Sequence, residues 1–514
     1  MEQAAQTGDF ARFTRTDHIP ATLIVRLATA NDTHPRGVRI EGATIDGALD
    51  FEGRTLPRPL LLVDCAIPAG IRLHDASCGN LFIQNCTISG GINAQRLRVD
   101  GSFHLRGSKV TGAVDVMGGR ITCDFSCRGA TFDGGGEPAL QADAMQVGGT
   151  LFLNGGFTAT GPVRLPGASV TGNVTCTYAK LNGGGEPALH ADGLRVHGDL
   201  FFREGFEATG TVRLLGAAIT GDLDCSGAKF DGAGKTALQA DGIRVGGGLF
   251  FRDGANASGL VDLTHAKVGV LADDRDSWPQ QIGLSGFTYG GLGGDQAIGV
   301  DAVGRIEWLG RGIGSHFDPQ PYEHLAKVFR EMGRMEDYRE VHIAKEWRRM
   351  AFKKRRRREK HADPDFPLFS RAADWLGIVW GHLIGWTAGF GYKPWRVAWP
   401  MLLVILVGMA VFKDADRHRM MVPAKERVYM SDKPLPIQYP RFNALVYSMD
   451  VFFPIVDLHQ EDYWQPSIKT DTSEAGPKVF GRVARVYLWV HILLGWFLTA
   501  LGVAGVTGLV KKEQ

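Results

Sequence analysis

Apolar residues are arranged differently in two regions of the chain. From residue 20 to about residue 305, they alternate with polar residues over stretches of three to five positions, as in Leu81–Ile83 and Phe103–Leu105. Glycine, asparagine or aspartate separates these stretches, a pattern that predicts many short β-strands. Beyond about residue 370 long apolar and aromatic runs predominate, and they predict helices.

A 49-residue unit recurs within the β-rich region. Its copies read EPALQAD, EPALHAD and KTALQAD, starting at Glu137, Glu186 and Lys235. Self-similarity at a fixed period indicates stacked units that share one core. Inward residues spaced by five, such as Cys225 and Phe230, favour a right-handed, pentapeptide-like β-helix. Each unit is then expected to form about two coils and a glycine-rich excursion such as Gly134–Gly136.

The predicted fold is mainly a β-solenoid, followed by an α-helical hairpin and an α-helical two-span membrane domain. The predicted segments are an N-terminal segment (1–19), the β-helix (20–310), a helical hairpin (315–362), an interfacial helix (371–396), transmembrane helix 1 (397–412), an extracytoplasmic loop (413–485) and transmembrane helix 2 (486–510). The apolar stretch 375–390 fits either a crossing or an interfacial helix. Its tryptophans and short length favour a helix along the inner leaflet.

The two apolar spans also predict an orientation. The second span is long enough to cross about 30 Å of hydrocarbon, whereas the first just reaches with flanking residues. Lys511 and Lys512 follow the second span, and a basic run precedes the first. That run, predicted to contact anionic lipid headgroups, is Lys353, Lys354, Arg355, Arg356, Arg357 and Arg358. Both termini are therefore expected in the cytoplasm, with the spans in a bacterial inner membrane.

Composition argues against several function classes. The net charge is +2, so no nucleic-acid partner is expected. The seven cysteines lack the spacing of a zinc site, and Cys176 and Cys225 occupy equivalent repeat positions, as expected for buried core thiols. No phosphate-binding loop, nucleophile elbow or paired-histidine helix is present. We therefore expect no enzyme activity, no metal and no cofactor.

The segment between the spans carries the strongest functional signal. Residues 442–453 read as a short amphipathic helix, which Pro454 ends, and an acidic loop follows. This order of span, short helix, acidic loop and span is found in two-helix cation channels, whose pore helix directs its partially negative end at the ion. The candidate pore residues are Pro454, Asp457, His459, Glu461 and Asp462. The potassium-channel filter sequence is absent, and a plain extracytoplasmic cap remains the alternative.

Several motifs resemble those of a family of bacterial, often actinobacterial, multi-part membrane proteins. They are GFTY (286–289), PQPYEHLA (319–326), GYKPWR (391–396), YSMD (447–450), PIVDL (454–458), GW (495–496) and GVTGL (505–509). The resemblance covers most of the chain beyond about residue 280 and implies the same architecture. Such proteins are often labelled membrane-associated oxidoreductases, but no flavin, nicotinamide, haem or iron–sulfur site can be assigned here.

Two functions follow as hypotheses. In the first, an oligomer forms a cation-channel-like pore that the cytoplasmic β-helix regulates or assembles. In the second, the spans anchor a scaffold or sensor whose β-helix binds a cytoplasmic protein, without transport. The lipid bilayer and further copies of the chain are the expected partners.

Overall fold

The computed structural model describes residues 1–293, 301–314, 316–361, 368–429, 435–467 and 480–507. The chain divides into two compact units, Met1–Tyr338 and Arg339–Gln514. The helices of the described residues are α1 (Glu2–Thr7), α2 (Ala21–Thr29), α3 (Ala302–Gly310), α4 (Gln320–Glu331), α5 (Met335–His361), α6 (Leu368–Ala388), α7 (Ala398–Arg417), α8 (Glu426–Tyr429), α9 (Ala444–Phe452) and α10 (Phe480–Val506). Two 3-10 turns, Gly389–Gly391 and Pro394–Val397, join α6 to α7.

The first unit is a parallel β-solenoid of about 13 turns, which confirms the solenoid prediction. One sheet contains Ala11–Arg12, Val38–Glu41, Thr55–Leu56, Leu60–Val63, Ser77–Cys78, Leu81–Gln84, Arg98–Val99, Phe103–His104, Arg120–Ile121, Phe125–Ser126, Gln146–Val147, Leu151–Phe152, Ser169–Val170, Val174–Thr175, Arg195–Val196, Leu200–Phe201, Ala218–Ile219, Leu223–Asp224, Arg244–Phe251, Lys267–Asp273 and Thr288–Gly293. The other contains His18–Pro20, Thr44–Asp46, Leu49–Asp50, Ala66–Ile67, Ile71–Arg72, Thr87–Ile88, Ile92–Asn93, Lys109–Thr111, Val114–Asp115, Thr131–Asp133, Leu140–Gln141, Thr158–Thr160, Val163–Arg164, Lys180–Asn182, Leu189–His190, Glu207–Thr209, Val212–Arg213, Lys229–Gln239, Asn256–Asp262 and Gln281–Gly283. The right hand of the coil and its membership of the pentapeptide class stay predictions.

The strand register explains the 49-residue period. Leu151 pairs with Val174, which is 23 residues later, and Val174 pairs with Leu200 after another 26 residues. One repeat therefore makes two coils of unequal length. The glycines at 134–136 lie between the strands Thr131–Asp133 and Leu140–Gln141, in a longer coil. The expected excursion is thus the source of the extra residues.

Asparagine and aspartate side chains tie successive coils together at one edge. The side chain of Asn173 accepts a hydrogen bond from the backbone N–H of Asp199, and Asp199 accepts one from the N–H of Asp222, both at 2.8 Å. A Cβ at Gly198 would lie 2.1 Å from Asn173 Oδ1, and a Cβ at Gly221 equally close to Asp199 Oδ1. Glycine is therefore required at these two positions, because the side chains of Asn173 and Asp199 approach the backbone too closely for a Cβ.

The solenoid core is apolar, and its cysteines are part of it. All seven cysteines are free thiols, and every one except Cys123 is buried. Cys127, Cys176 and Cys225 recur every 49 residues, and burial raises the pKa of the Cys176 thiol to about 12.

Helices cover the last coil of the solenoid. The last solenoid strand among the described residues ends at Gly293, and helix α3 occupies residues that were expected to belong to the β-helix. Arg305 of α3 is buried and forms hydrogen bonds of 2.5 and 2.9 Å with the carboxylate of Asp273. Gln320 of α4 accepts a hydrogen bond from the N–H of Gly286 at 3.0 Å. The predicted hairpin of residues 315–362 stays a prediction, although helices α4 and α5 lie within that range.

Two helices of the second unit are long and apolar enough to cross a membrane. These candidate spans are Pro394–Arg417 and Val483–Ala504, which include most of α7 and α10. Their exposed faces carry large apolar side chains: Trp399, Leu402, Leu403, Leu406, Trp489, Leu493 and Trp496. Such faces suit a lipid environment. The end of the predicted second span, 508–510, and Lys511 and Lys512 lie outside the described residues.

Candidate functional site between the two candidate spans

A short helix, α9, lies between α7 and α10 in sequence and packs against both. It begins at Asn443, whose side-chain oxygen accepts hydrogen bonds from the N–H groups of Leu445 and Val446 at 3.1 and 3.2 Å. This arrangement is an N-cap, which satisfies two N–H groups that have no partner within the helix. The helix ends at Phe452, just before Pro454. Its position agrees with the short helix expected over 442–453.

Helix α9 extends along the spans to their middle. Near its start, the ring of Tyr447 packs edge-on against Phe412, with centroids 4.8 Å apart. At its end, Phe452 belongs to the same buried cluster as Ile405 and Leu498. Ile405 and Phe412 are about 10 Å apart along α7, because an α-helix rises about 1.5 Å per residue. The C-terminus of α9 therefore lies level with the centre of the candidate spans.

Two glycines allow this close packing. A Cβ at Gly495 of α10 would lie 2.0 Å from the carbonyl oxygen of Phe452, and one at Gly408 of α7 would lie 2.3 Å from Ser448 Oγ. Neither position leaves room for a side chain. Gly495 therefore permits the close approach of α10 to α9.

Polar side chains join the three helices at this depth. The Ser448 hydroxyl donates to the carbonyl oxygen of Ile405 at 2.8 Å, and His491 Nε2 donates to the carbonyl oxygen of Ser448 at 3.0 Å. The Tyr487 hydroxyl lies 3.2 Å from His491 Nδ1, to which it donates. Ser448 and His491 are fully buried. These contacts satisfy polar groups within an apolar span and fix α9 between α7 and α10.

Asp450 organises the loop that follows α9, and the sequence reasoning missed its role. Its side chain is only about 5% exposed, and its carboxylate accepts three backbone hydrogen bonds. Leu458 N–H donates to Oδ1 at 2.6 Å, and the N–H groups of Gln460 and Glu461 donate to Oδ2 at 2.7 and 2.8 Å. The loop therefore turns back along α9. The available signal was a carboxylate inside an otherwise apolar helix, which needs a specific partner.

The structure brings most of the predicted pore residues together in this loop. His459 Nδ1 lies 3.0 Å from Asp457 Oδ1 and 3.3 Å from Asp462 Oδ2, and all three side chains are exposed. Their ligand atoms all lie within 4.8 Å of one another, a spacing that could hold a metal ion. Partial burial raises the pKa of Glu461, and the neighbouring carboxylates, first Asp450, raise it further. Pro454 is half-buried at the start of the loop.

The outer part of the loop region folds on itself. Strands Met421–Pro423 and Trp464–Pro466 pair antiparallel, and the indole N–H of Trp464 donates to the carbonyl oxygen of Pro440 at 3.0 Å. Residues 430–434 and 468–479 of the predicted extracytoplasmic loop lie outside the described residues. The predicted membrane-surface residues lie elsewhere, on α5. There Lys353, Lys354, Arg355, Arg356 and Arg358 are exposed, and Arg357 is half-buried.

Comparison with known proteins finds no match among family models, curated proteins or solved structures. The resemblance to actinobacterial membrane proteins, and the oxidoreductase label attached to some of them, therefore receive no support from these comparisons.

Proposed function

We propose that copies of this chain assemble in a bacterial inner membrane around a cation-conducting pathway, with the β-solenoid in the cytoplasm as its regulatory or assembly domain. In this proposal α9 is the pore helix, and the loop from Pro454 to Asp462 lines the pathway. The proposal includes cytoplasmic N- and C-termini and the lipid bilayer as the surrounding partner. The solenoid takes no part in conduction itself.

The observation that carries the proposal is irregular backbone level with the centre of the candidate spans. After Phe452 the chain leaves the helix, and Ile455 is 84% exposed. Among the described residues, none donates a hydrogen bond to the carbonyl oxygens of Pro454, Ile455 or Val456. An unpaired backbone group in hydrocarbon costs several kcal/mol, so such a segment faces other protein or water rather than lipid.

Neighbouring copies of the chain would supply protein contacts for this backbone segment, and an aqueous pathway would supply water. Copies arranged around an axis would cover the side of the loop that one chain leaves open, and water or ions would solvate its carbonyl oxygens. The partially negative C-terminus of α9 points toward the same place. Asp457, Glu461 and Asp462 would then form rings of carboxylate above it, which favour cations.

Ion flux through liposomes tests this function. We expect the purified protein to conduct a monovalent cation and the double variant Asp457→Asn, Glu461→Gln to reduce that flux at least tenfold. The matched control is Asp414→Asn, Asp416→Asn, which removes two carboxylates at the end of α7 and should leave flux within twofold. Absence of flux in the wild type, equal flux in both variants, or a monomer in mild detergent would contradict the proposal.

A second function is favoured by the outer face of the solenoid. Phe82, Phe152, Phe201 and Phe250 project outward from one sheet, and the guanidinium groups of Arg203 and Arg252 lie over two of these rings at 4.4 and 4.9 Å. Aromatic and arginine side chains are common anchors of protein interfaces. This face supports a membrane-anchored scaffold or sensor that binds a cytoplasmic protein.

The scaffold is tested on the full-length protein in detergent. Affinity purification should recover a specific protein in stoichiometric amount, and Phe201→Ala with Phe250→Ala should release it. Recovery of the same protein by both forms would place the interface elsewhere. Conduction without any retained partner would favour the pore.

A further inference from the structure

Helices α5 and α6 form an antiparallel pair within the second unit, which the sequence did not predict. At one end, Arg357 Nε lies 3.0 Å from Asp374 Oδ1, and the same guanidinium donates to the backbone carbonyl of Asp374 at 2.9 Å. At the other end, Lys393, just beyond α6, forms an ion pair of 2.6 Å with Glu340. The two helices therefore run side by side over nearly the whole length of α6.

Glycines determine which side of α6 meets α5. A Cβ at Gly381 would lie 2.4 Å from Met350 Sδ, and one at Gly385 would lie 2.7 Å from the ring of Trp347. The spacing of four residues places both glycines on one side of the helix. Side chains of α5 fill the space that these glycines leave. On the opposite side Trp380 contacts Phe497 of α10, with ring centroids 5.6 Å apart, and most of the surface is exposed.

That opposite side is a continuous apolar surface. Its exposed residues are Trp375, Leu376, Val379, Trp380, Leu383 and Trp386. Trp375 is 65% exposed and Trp386 is 78% exposed, which is unusual for side chains of this size. Tryptophan is enriched where hydrocarbon meets lipid headgroups. The surface has the composition of a helix that lies in the membrane interface.

The charge of α5 excludes a crossing by the pair. Besides its terminal basic run, α5 carries exposed Arg348 and Arg349, and it accompanies α6 along nearly its full length. If α6 crossed the bilayer, these cations would enter hydrocarbon at several kcal/mol each. The pair also meets the candidate spans near one end of each, because Ala388 clusters with Val397 at the start of α7 and with Leu501 near the end of α10. An orientation in the plane of the membrane satisfies all of these contacts.

We propose that the α5–α6 pair is an in-plane binding element for anionic phospholipid at the inner leaflet. The tryptophan side of α6 enters the boundary between headgroups and acyl chains. The exposed cations Lys353, Lys354, Arg355 and Arg356 contact the phosphate groups of the same lipids. This inference rests on the proposed membrane insertion of α7 and α10 and does not depend on conduction.

The first test measures depth in nanodiscs that contain phosphatidylcholine and phosphatidylglycerol. Single cysteines replace Val379, Arg355 and Leu403 in turn, in a Cys123→Ala background that removes the exposed native thiol. A spin label at 379 should be reached by the lipid-soluble relaxant oxygen, and one at 355 by a water-soluble nickel chelate. A label at 403 of α7 should report lipid in every case. A water-exposed label at 379 with a lipid-exposed label at 403 would overturn the inference while leaving membrane insertion intact.

The second test measures lipid selectivity. The variant Lys353→Gln, Lys354→Gln, Arg355→Gln, Arg356→Gln removes four exposed cations. Each cation near an anionic surface strengthens binding about fivefold, so we expect the preference for phosphatidylglycerol over phosphatidylcholine to fall at least tenfold, as measured by native mass spectrometry. The control removes four exposed solenoid cations by Arg98→Gln, Lys109→Gln, Arg195→Gln and Lys267→Gln. Equal preference in the wild type and the α5 variant would overturn the inference, whether or not the protein conducts.

Discussion

The substitution Asp450→Asn tests whether a single carboxylate holds the loop after α9. The amide has the same shape but only one acceptor oxygen. Its best orientation keeps that oxygen toward the N–H groups of Gln460 and Glu461 and turns the amide NH2 toward the N–H of Leu458, with which it cannot bond. One of the three hydrogen bonds is lost, and the other two are then made to a neutral acceptor instead of a charged one.

The expected cost follows from these three contacts. A hydrogen bond to a charged group contributes about 1.5–3 kcal/mol, and a bond to a neutral acceptor contributes roughly half of that. The loss of one bond and the weakening of two together destabilise the closed loop by about 3–6 kcal/mol. Because 1.4 kcal/mol is a factor of ten, the amide hydrogens of Leu458, Gln460 and Glu461 should exchange at least a hundredfold faster.

Hydrogen exchange with mass spectrometry, on the protein in nanodiscs, measures this effect. The control Asp457→Asn alters an exposed carboxylate that accepts one backbone hydrogen bond, from His459 at 2.8 Å, and should change exchange at Leu458 less than fivefold. If Asp450→Asn and the wild type exchange equally over residues 458–461, the carboxylate does not hold the loop. The proposed arrangement of the pore lining would then lose the contact that holds the loop in place.

Three further predictions concern the packing, the end of the solenoid and the loop carboxylates. Gly495→Ala should lower stability by about 1–3 kcal/mol, because its Cβ would overlap the carbonyl oxygen of Phe452. At Gly502 the nearest atoms to a Cβ are 3.9 Å away, so Gly502→Ala should be tolerated. Thermal unfolding in detergent compares the two variants. Arg305→Leu should destabilise the solenoid by about 3–5 kcal/mol in denaturant unfolding, because it leaves the carboxylate of Asp273 buried without its cation. Glu461→Gln should raise the unfolding temperature more at pH 7 than at pH 4. The raised pKa of Glu461 means that the folded protein binds its proton more tightly than the unfolded chain, so the wild type loses stability as pH rises through that pKa.

Each of these predictions has a contrary outcome. Equal destabilisation by alanine at 495 and 502 would show that the close contact between Gly495 and α9 does not determine the stability of the helix packing. A loss below about 1 kcal/mol for Arg305→Leu would indicate that the solenoid end rearranges to solvate Asp273. If Glu461→Gln raised the unfolding temperature more at pH 4 than at pH 7, the pH dependence would have the wrong sign for a raised pKa of Glu461.

Features that repeat along the chain could be predicted from the sequence. The 49-residue period requires stacked units, and the register confirms two coils per repeat. Long apolar runs identify α7 and α10, because a membrane span is defined by local composition and length. A proline after a short apolar stretch likewise locates the end of α9. These signals are local, so one sequence is sufficient to detect them.

Other features depend on contacts between segments that no local pattern relates. The glycines of α6 can be read from the sequence, but nothing in the sequence shows that Met350 and Trp347 of α5 pack against them. For the same reason α3, expected to be part of the β-helix, became recognisable only from its buried Arg305 and the partner Asp273.

The sequence by itself therefore determined a solenoid, two apolar spans and a short helix with an acidic loop between them. Only the tertiary structure decided that α9 reaches the centre of the spans, that Asp450 holds the returning loop and that Gly408 and Gly495 admit the helix. The physical reason is that periodicity and hydropathy are properties of neighbouring residues. Depth, burial of a charge and close approach arise only when distant parts of the chain are packed together.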